Sequence, residues 1–267
     1  MTHYYQTFEG VVLSTRPYKE KDMLIKIFTK EYGKRMFFAR NVRSPKNPLK
    51  LMSFPFVRGT FIGHINADGL SFVNEADALT FPKRAQTGIL VNAYATYLCH
   101  LTDASMEDQQ VDERLFQLLY DALEQLEQTE FPAIIANIFE LQLLPKFGAP
   151  VTLSSCVICG ADKGPLDFSV YYHGMLCSRH FEKDPRRLHW SARTAAMIQR
   201  LSRVHYHQIQ SIRVQPATIL GIRQAIDDLY EEYVGLHLKS KSFIDQLLAF
   251  DHPLIPPRTH DRTTEKN

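Results

Sequence analysis

Apolar and polar positions alternate through the first 80 residues. In "DMLIKIFT", Met23, Ile25 and Ile27 fall on one side and Leu24, Lys26 and Phe28 on the other, the period of two that a strand requires. "FEGVVLSTR", "KRMFFAR", "FPFVRGTFIGHI" and "LSFVNEADAL" share this short, β-branched and aromatic character, with turn signals at "KEYG" and "NADG". Gly33 stands where the first hairpin needs positive φ. Short strands at this spacing predict a small closed sheet. Phe37 and Phe38 must point to opposite faces of it.

The period changes after Pro82. In "AQTGILVNAYATYLCHL", Ile89, Leu90, Ala93, Tyr94, Tyr97, Leu98 and Leu101 recur at helical spacing. "VDERLFQLLYDALEQLEQ" puts Val111, Leu115, Leu118, Leu119, Ala122 and Leu126 on one stripe, with Asp112 and Glu113 at the dipole-favoured start. "FPAIIANIFELQLLPKFG" opens on Pro132 and closes near Gly148, proline early and glycine late. These three helices should pack as a bundle, with Cys99 in its core. Residues 150–185 interrupt the pattern. Helices return in "SARTAAMIQRLSRV", capped by Ser191, in "PATILGIRQAIDDLYEEYVGLHL" and in "KSFIDQLLAF". The Pro-rich, polar end from His252 reads as disordered.

The organisation expected is therefore α+β and multi-domain. A β-barrel occupies 1–80, and a helical body occupies 81–149 and 186–251. A small insertion covers 150–185, and a tail covers 252–267.

Composition alone is unremarkable, with 45% hydrophobic residues, 22% charged residues and a net charge of +2. The distribution of charge changes that picture. Residues 1–58 hold 12 Lys/Arg against 4 Asp/Glu, whereas residues 103–140 hold 1 against 10. A basic head before an acidic middle suggests an anionic partner at the head; solvation of the surface is the plainer alternative. "MTHYYQTFEG" has neither the basic nor the apolar region of a signal peptide, and no apolar run approaches a membrane span. A cytoplasmic address is expected.

Four cysteines are present, and three fall within 22 residues as Cys156-x2-Cys159 and Cys177-x2-His180. Each pair can grip one ion from a tight turn, and four such ligands close a tetrahedron, which points to structural zinc in a ribbon-like module. His173 competes with His180 for the fourth place. No P-loop, GxSxG, HExxH or dinucleotide glycine pattern occurs. His205 and His207 form an HxH pair without an acidic neighbour in sequence, which reads as a surface pair. Nothing assembles a nucleophile, base and oxyanion hole, so a non-enzymatic role is expected.

The basic head invites a sharper reading. A barrel of the OB type binds single strands by combining a cationic groove with aromatic platforms. Arg16, Lys19, Lys21, Lys26, Lys34, Arg35, Arg40, Arg43, Lys46 and Lys50 supply charge, and Tyr18, Tyr32, Phe37 and Phe38 are the stacking candidates. "RNVRSPKNPLK" reads as an extended loop that orders on phosphates, without reading sequence.

These residues also carry a family resemblance. Gly10, Val12, Leu13, Arg16, Pro17, Tyr18, Glu20, Asp22, Phe28, Thr29, Gly33, Ala39, Arg40, Pro55 and Phe56 resemble the amino-terminal signature of the RecO family of bacterial recombination mediators. The order of barrel, helices, CxxC insertion and helices extends the resemblance over nearly the whole chain. Four positions depart from it: Lys19 stands where glycine is common, Asn41 and Asn47 dilute the basic loop, and His180 replaces a fourth cysteine found in some members.

The resemblance implies binding of single- and double-stranded DNA, strand annealing and engagement of RecR. It also implies loading of RecA onto DNA coated by single-strand-binding protein, and recognition of that protein's acidic carboxy-terminal tail. Arg200, Arg203 and Arg223 are the candidates for tail contact, and nucleoid association would follow. RNA binding through the same groove, metal-dependent nuclease action by the acidic middle, and pure scaffolding are the alternatives.

Overall fold

A computed structural model of the 267-residue chain describes residues 5–149, 151–209 and 215–251. The expected tail lies outside the described residues.

Five strands close the amino-terminal barrel: β1 (Gln6–Tyr18), β2 (Asp22–Thr29), β3 (Gly33–Ala39), β4 (Arg58–His64) and β5 (Ser71–Thr80). Their order is β1-β2-β3-β5-β4, and β4 pairs back onto β1 from Gln6↔Gly63 to Val11↔Arg58. All pairings are antiparallel except β3–β5, joined through Phe37↔Ser71 and Phe38↔Phe72. A bulge between Val12 and Ser14 separates the part of β1 that pairs with β4 from the outer part that pairs only with β2. Phe8, Val12, Ile25, Ile27, Phe37 and Phe61 fill the interior, with Phe8 stacked on Phe37 at 5.4 Å and on Phe61 at 5.8 Å. Gly10 leaves room for these rings, since a Cβ there would lie 2.7 Å from Ile27 Cγ2.

The outer sides of β1 and β2 are also apolar because the helical body covers them. Val11, Leu13 and Phe28 belong to the body's core, and Phe28 meets Phe116 edge-on at 5.5 Å. That double burial explains the unbroken run "GVVL".

The body comprises α1 (Lys83–Thr87), α2 (Ile89–Ala104), α3 (Glu113–Leu126), α4 (Pro132–Leu143), α5 (Ala192–Leu201), α6 (Pro216–Tyr233) and α7 (Lys239–Asp251). The expected first helix is two helices, broken at Gly88, whose extended backbone ends α1 and leads into α2. Asp112 caps α3 by accepting from Leu115 N at 3.0 Å, and Ser191 caps α5 through Thr194 N at 3.0 Å. Pro132 opens α4, and Gly148 ends the following 3-10 turn at φ 76°. Ile89 and Val111, expected on buried stripes, are instead 68% and 51% exposed; each precedes or begins its helix, where the stripe has not yet met a neighbour.

Within the body Glu140 is fully buried. It accepts from Arg223 Nη1 at 2.6 Å, Arg223 Nη2 at 3.0 Å and Tyr97 Oη at 2.6 Å. Arg223 also bonds Asn137 and Asp227. Burial works against its charge, but Glu140 and then Asp227 hold it more firmly protonated than a free arginine. This counts against one expectation: the guanidinium N–H groups of half-buried Arg223 are taken by Glu140, Asn137 and Asp227, which leaves none directed at a protein tail.

The 150–185 segment holds β6 (Thr152–Cys156), β7 (Leu166–Ser169) and β8 (Gly174–Cys177) in the order β6-β8-β7. Leu166, Phe168, Met175 and Leu176 merge with the body's core. Buried Asp167 accepts from the backbone N–H groups of Phe168, His189 and Trp190, and Ser169 Oγ donates to Asp184 at 2.6 Å. These bonds fasten the returning chain to the sheet. No helix among the described residues is long and apolar enough to cross a membrane.

Candidate nucleic-acid interface and metal centre

One transverse row of the barrel can be followed through three successive pairings: Arg16↔Leu24, Leu24↔Phe38 and Phe38↔Phe72. Its side chains lie outside, because their neighbours Met23, Ile25, Phe37 and Val73 point in. Tyr18 is 43% and Phe72 41% exposed, and half-buried Phe38 stands between them. Ring centroids are 5.9 Å apart for Tyr18–Phe38 and 6.1 Å for Phe38–Phe72. Lys19 Nζ sits 5.5 Å from the Tyr18 ring centre. Phe37 is wholly internal and Tyr32 packs against Phe8, so neither is a platform. Phe72 escaped the sequence reading. The signal was the alternation in "LSFVNEADAL", which puts it opposite to Ser71 and Val73.

The cations group beside this row. Asn41 N donates to Asp22 Oδ1 at 2.7 Å, Arg43 N to Lys21 O at 3.1 Å and Arg43 Nη1 to Glu20 O at 3.2 Å. The β1–β2 turn is thereby stitched to the segment after β3, bringing Lys19, Lys21, Arg40 and Arg43 onto one end of the barrel. That segment is not the extended loop expected. It is a string of turns from Asn41 to Lys50, followed by a 3-10 turn at Lys50–Ser53, and it buries Val42 and Leu49 in the barrel core. Its prolines serve turns, and apolar anchors hold it without a ligand. Arg16, Lys19, Lys21, Arg40, Arg43, Lys46 and Lys50 are exposed, and among the described residues none makes an ion pair with a carboxylate.

Three of the expected cations behave differently. Lys34 is 4% exposed; its ammonium reaches the Asp103 carboxylate at 2.7 Å and the carbonyls of Asp103 and Met106 at 2.6 and 2.8 Å. It clamps the barrel to the body and has no face left for a phosphate, which corrects its assignment. Lys26 joins the same carboxylate at 3.0 Å. Burial opposes ionisation of Asp103, but Lys34 and then Lys26 hold it below the usual carboxylate range. Arg35 is half-buried and donates to Tyr32 O and Asn66 O, bracing the β4–β5 turn.

Of the residues expected to meet a tail, Arg200 and Arg203 are exposed at the end of α5, in line with exposed Arg193 and Ala196. Arg193 and Arg200 share one edge of α5, and Arg203 follows in the turn after its cap.

The cysteine cluster has the geometry of a closed site. The four ligand atoms of Cys156, Cys159, Cys177 and His180 lie within 4.8 Å of one another. Cys159 Sγ–Cys177 Sγ is 3.7 Å, and His180 Nδ1 is 3.3 Å from Cys177 Sγ and 3.5 Å from Cys156 Sγ. A tetrahedral zinc with Zn–S of about 2.3 Å and Zn–N of about 2.0 Å has S···S edges of about 3.8 Å and S···N edges of about 3.5 Å. These residues fit zinc. Burial resists the Cys177 thiolate, but the His180 ring and the Arg179 N–H bring its pKa down to about 6. At Cys156 the N–H groups of Cys159, Cys177 and Ile158 outweigh the same burial and lower the pKa. His173 is turned away at φ 51° with Nδ1 3.2 Å from Tyr233 Oη, which leaves His180 as the fourth ligand. His205 and His207 stack on each other at the surface, outside this cluster.

Comparison with known proteins accords with this architecture. The family models "Recombination protein O N terminal" and "Recombination protein O C terminal" match residues 1–81 and 86–242. The chain is 44% identical over 251 residues to the DNA repair protein RecO of Enterococcus faecalis, spanning 94% of this chain and 96% of the relative. It is 39% identical over 254 residues to that of Lactiplantibacillus plantarum, spanning 95% and 98%. With the protein of the same description from Streptococcus pneumoniae it shares 39% over 242 residues, spanning 90% and 93%.

Proposed function

Because the chain belongs to the RecO family of DNA repair proteins, we propose that its barrel end holds single-stranded DNA while the helical body receives protein partners, without catalysis by the chain itself. The observation that carries this reading is the aromatic row Tyr18–Phe38–Phe72, exposed at its two ends, on the same barrel as seven exposed cations free of carboxylate partners. Unpaired bases offer their faces to aromatic rings, whereas a duplex hides them by stacking. The cations hold phosphates, which positions a strand without selecting sequence. Duplex DNA is held more weakly, through the phosphate contacts alone.

Such a grip supports annealing. Stacking occupies base faces and cations occupy phosphates, so the Watson–Crick edges stay available to a complementary strand. Arg200 and Arg203 offer charge to the acidic tail of single-strand-binding protein, on α5, which packs against α4, α6 and the β6–β8 sheet rather than the barrel. Holding strand and tail at different places lets the chain displace the coating locally and, with RecR, admit RecA. Zinc bound by Cys156, Cys159, Cys177 and His180 would have no open position for a substrate, so its part is to hold the module's two knuckles together.

Salt-dependent binding of a fluorescent single strand tests the reading. Replacing Arg40, Arg43 and Lys46 together by alanine should flatten the slope of log K against log salt by about 0.7 per lost contact, hence about 2 in all. Phe72→Ala should cost about 1–3 kcal/mol for the base it stacks while leaving that slope unchanged. Unaltered slopes in the triple variant, or a marked preference for RNA in competition, overturn the proposal.

A further inference from the structure

Of the three cluster sulfurs only Cys159 faces solvent; Cys156 and Cys177 are buried. Arg179 covers its outer side. Arg179 Nη2 donates to Cys159 Sγ at 3.5 Å. The position follows from the backbone. Residues Ser178–Lys183 form one 3-10 turn directly after Cys177, so that Arg179 and His180 leave it in different directions. His180 Nδ1 turns in toward Cys156 and Cys177, and Arg179 folds back onto the Cys159 sulfur. Among the described residues no carboxylate pairs with Arg179. The side chain's hydrogen bonds are directed at the cluster alone.

Three thiolates and one neutral imidazole around a divalent zinc leave one net negative charge, concentrated on sulfur. A guanidinium offers a planar fork that meets two acceptors at once, which an ammonium does not. Outer partners of this kind orient ligands, and removing them weakens metal binding. The exposed ligand is also the one whose departure into solvent opens the site, since the two buried sulfurs are confined by the core.

We propose that Arg179 is a positioning residue of the metal centre, tethering the exposed Cys159 thiolate from the solvent side so that zinc is retained. This rests on the zinc reading of the cluster and is independent of DNA binding. The test uses the zinc-loaded full chain and a chromogenic chelator that reports released metal. Arg179→Ala should release zinc about 10- to 100-fold faster than the wild type, Arg179→Lys should restore part of the retention, and Lys183→Ala on the same turn should change nothing. In the cobalt-substituted protein, Arg179→Ala should move the thiolate-to-metal charge-transfer band to lower energy, because a sulfur relieved of its hydrogen bond is easier to oxidise. A general loosening of the fold would leave that band in place. Should Arg179→Ala fail to fold, Arg179→Gln and Arg179→Lys carry the comparison. Equal release rates and an unmoved band overturn the role of Arg179 alone; a wild-type chain that takes up neither zinc nor cobalt overturns the metal reading with it.

Discussion

Lys34 illustrates how a residue's surroundings outrank its type. In the sequence it is one of many cations near the amino terminus; in the fold it is buried and bound to the carboxylates of Asp103 and, more loosely, Asp108, and to two carbonyls. Removing it strands the Asp103 and Met106 carbonyls at the junction of barrel and body. Lys34→Met should therefore lower the unfolding free energy by about 2 kcal/mol, a figure reduced for the partly exposed Asp103, while the salt slope of DNA binding by the folded protein stays at the wild-type value. Urea unfolding and oligonucleotide titration on one preparation check both. Lys19 shows the opposite case. Its backbone sits at φ 55°, a left-handed conformation that costs a side-chain-bearing residue about 1–2 kcal/mol. Glycine is the natural occupant, and lysine adds an exposed charge over the Tyr18 ring at that cost.

Among elements, the barrel strands were legible because a period of two survives over much of β2, β3 and the start of β5, and β1 departs from it only where both of its faces are buried. The Cys-x2-Cys and Cys-x2-His pairs were equally plain, since their spacing is the geometry of the knuckle. What escaped was contact between distant segments. Nothing near "RNVRSPKNPLK" announces that Val42 and Leu49 are anchored in the barrel, or that Asn41 and Arg43 bond the β1–β2 turn. Arg223 looked like any solvated helix cation because its partner Glu140 lies 83 residues away. The small sheet shares its apolar face with the body, so loss of its metal should be felt globally. Cys156→Ala is expected to lose zinc by metal analysis and to lose on the order of 4 kcal/mol of stability, lowering Tm by roughly 8–16 °C.

For the whole molecule, the segregation of charge along the chain has two outcomes. Part of the acidic middle turns onto the basic head through Asp103, and the remaining head cations stay exposed. The clamp makes stability depend on pH in a defined direction. Asp103 has a folded pKa below its ordinary 3.8, so its contribution is complete above that value and declines as pH falls toward the folded one, where the native state also takes up the proton. The difference in urea midpoint between wild type and Asp103→Asn should be constant from pH 7 to about 5 and shrink below about 4.

The clamp has a mechanical meaning as well. Lys34 is fastened to Asp103, Met106 and Asp108, and Gly33 beside it allows no side chain, since a Cβ would come within 2.3 Å of the Gln110 carbonyl oxygen. Moving either would open the seam, so these contacts resist swinging of the barrel on the helices. A nucleic-acid strand on one end and a peptide on the other would be presented at a constant separation and angle, as a jig holds two workpieces. Handover between them would then be a matter of reach along the strand rather than of any hinge in the protein.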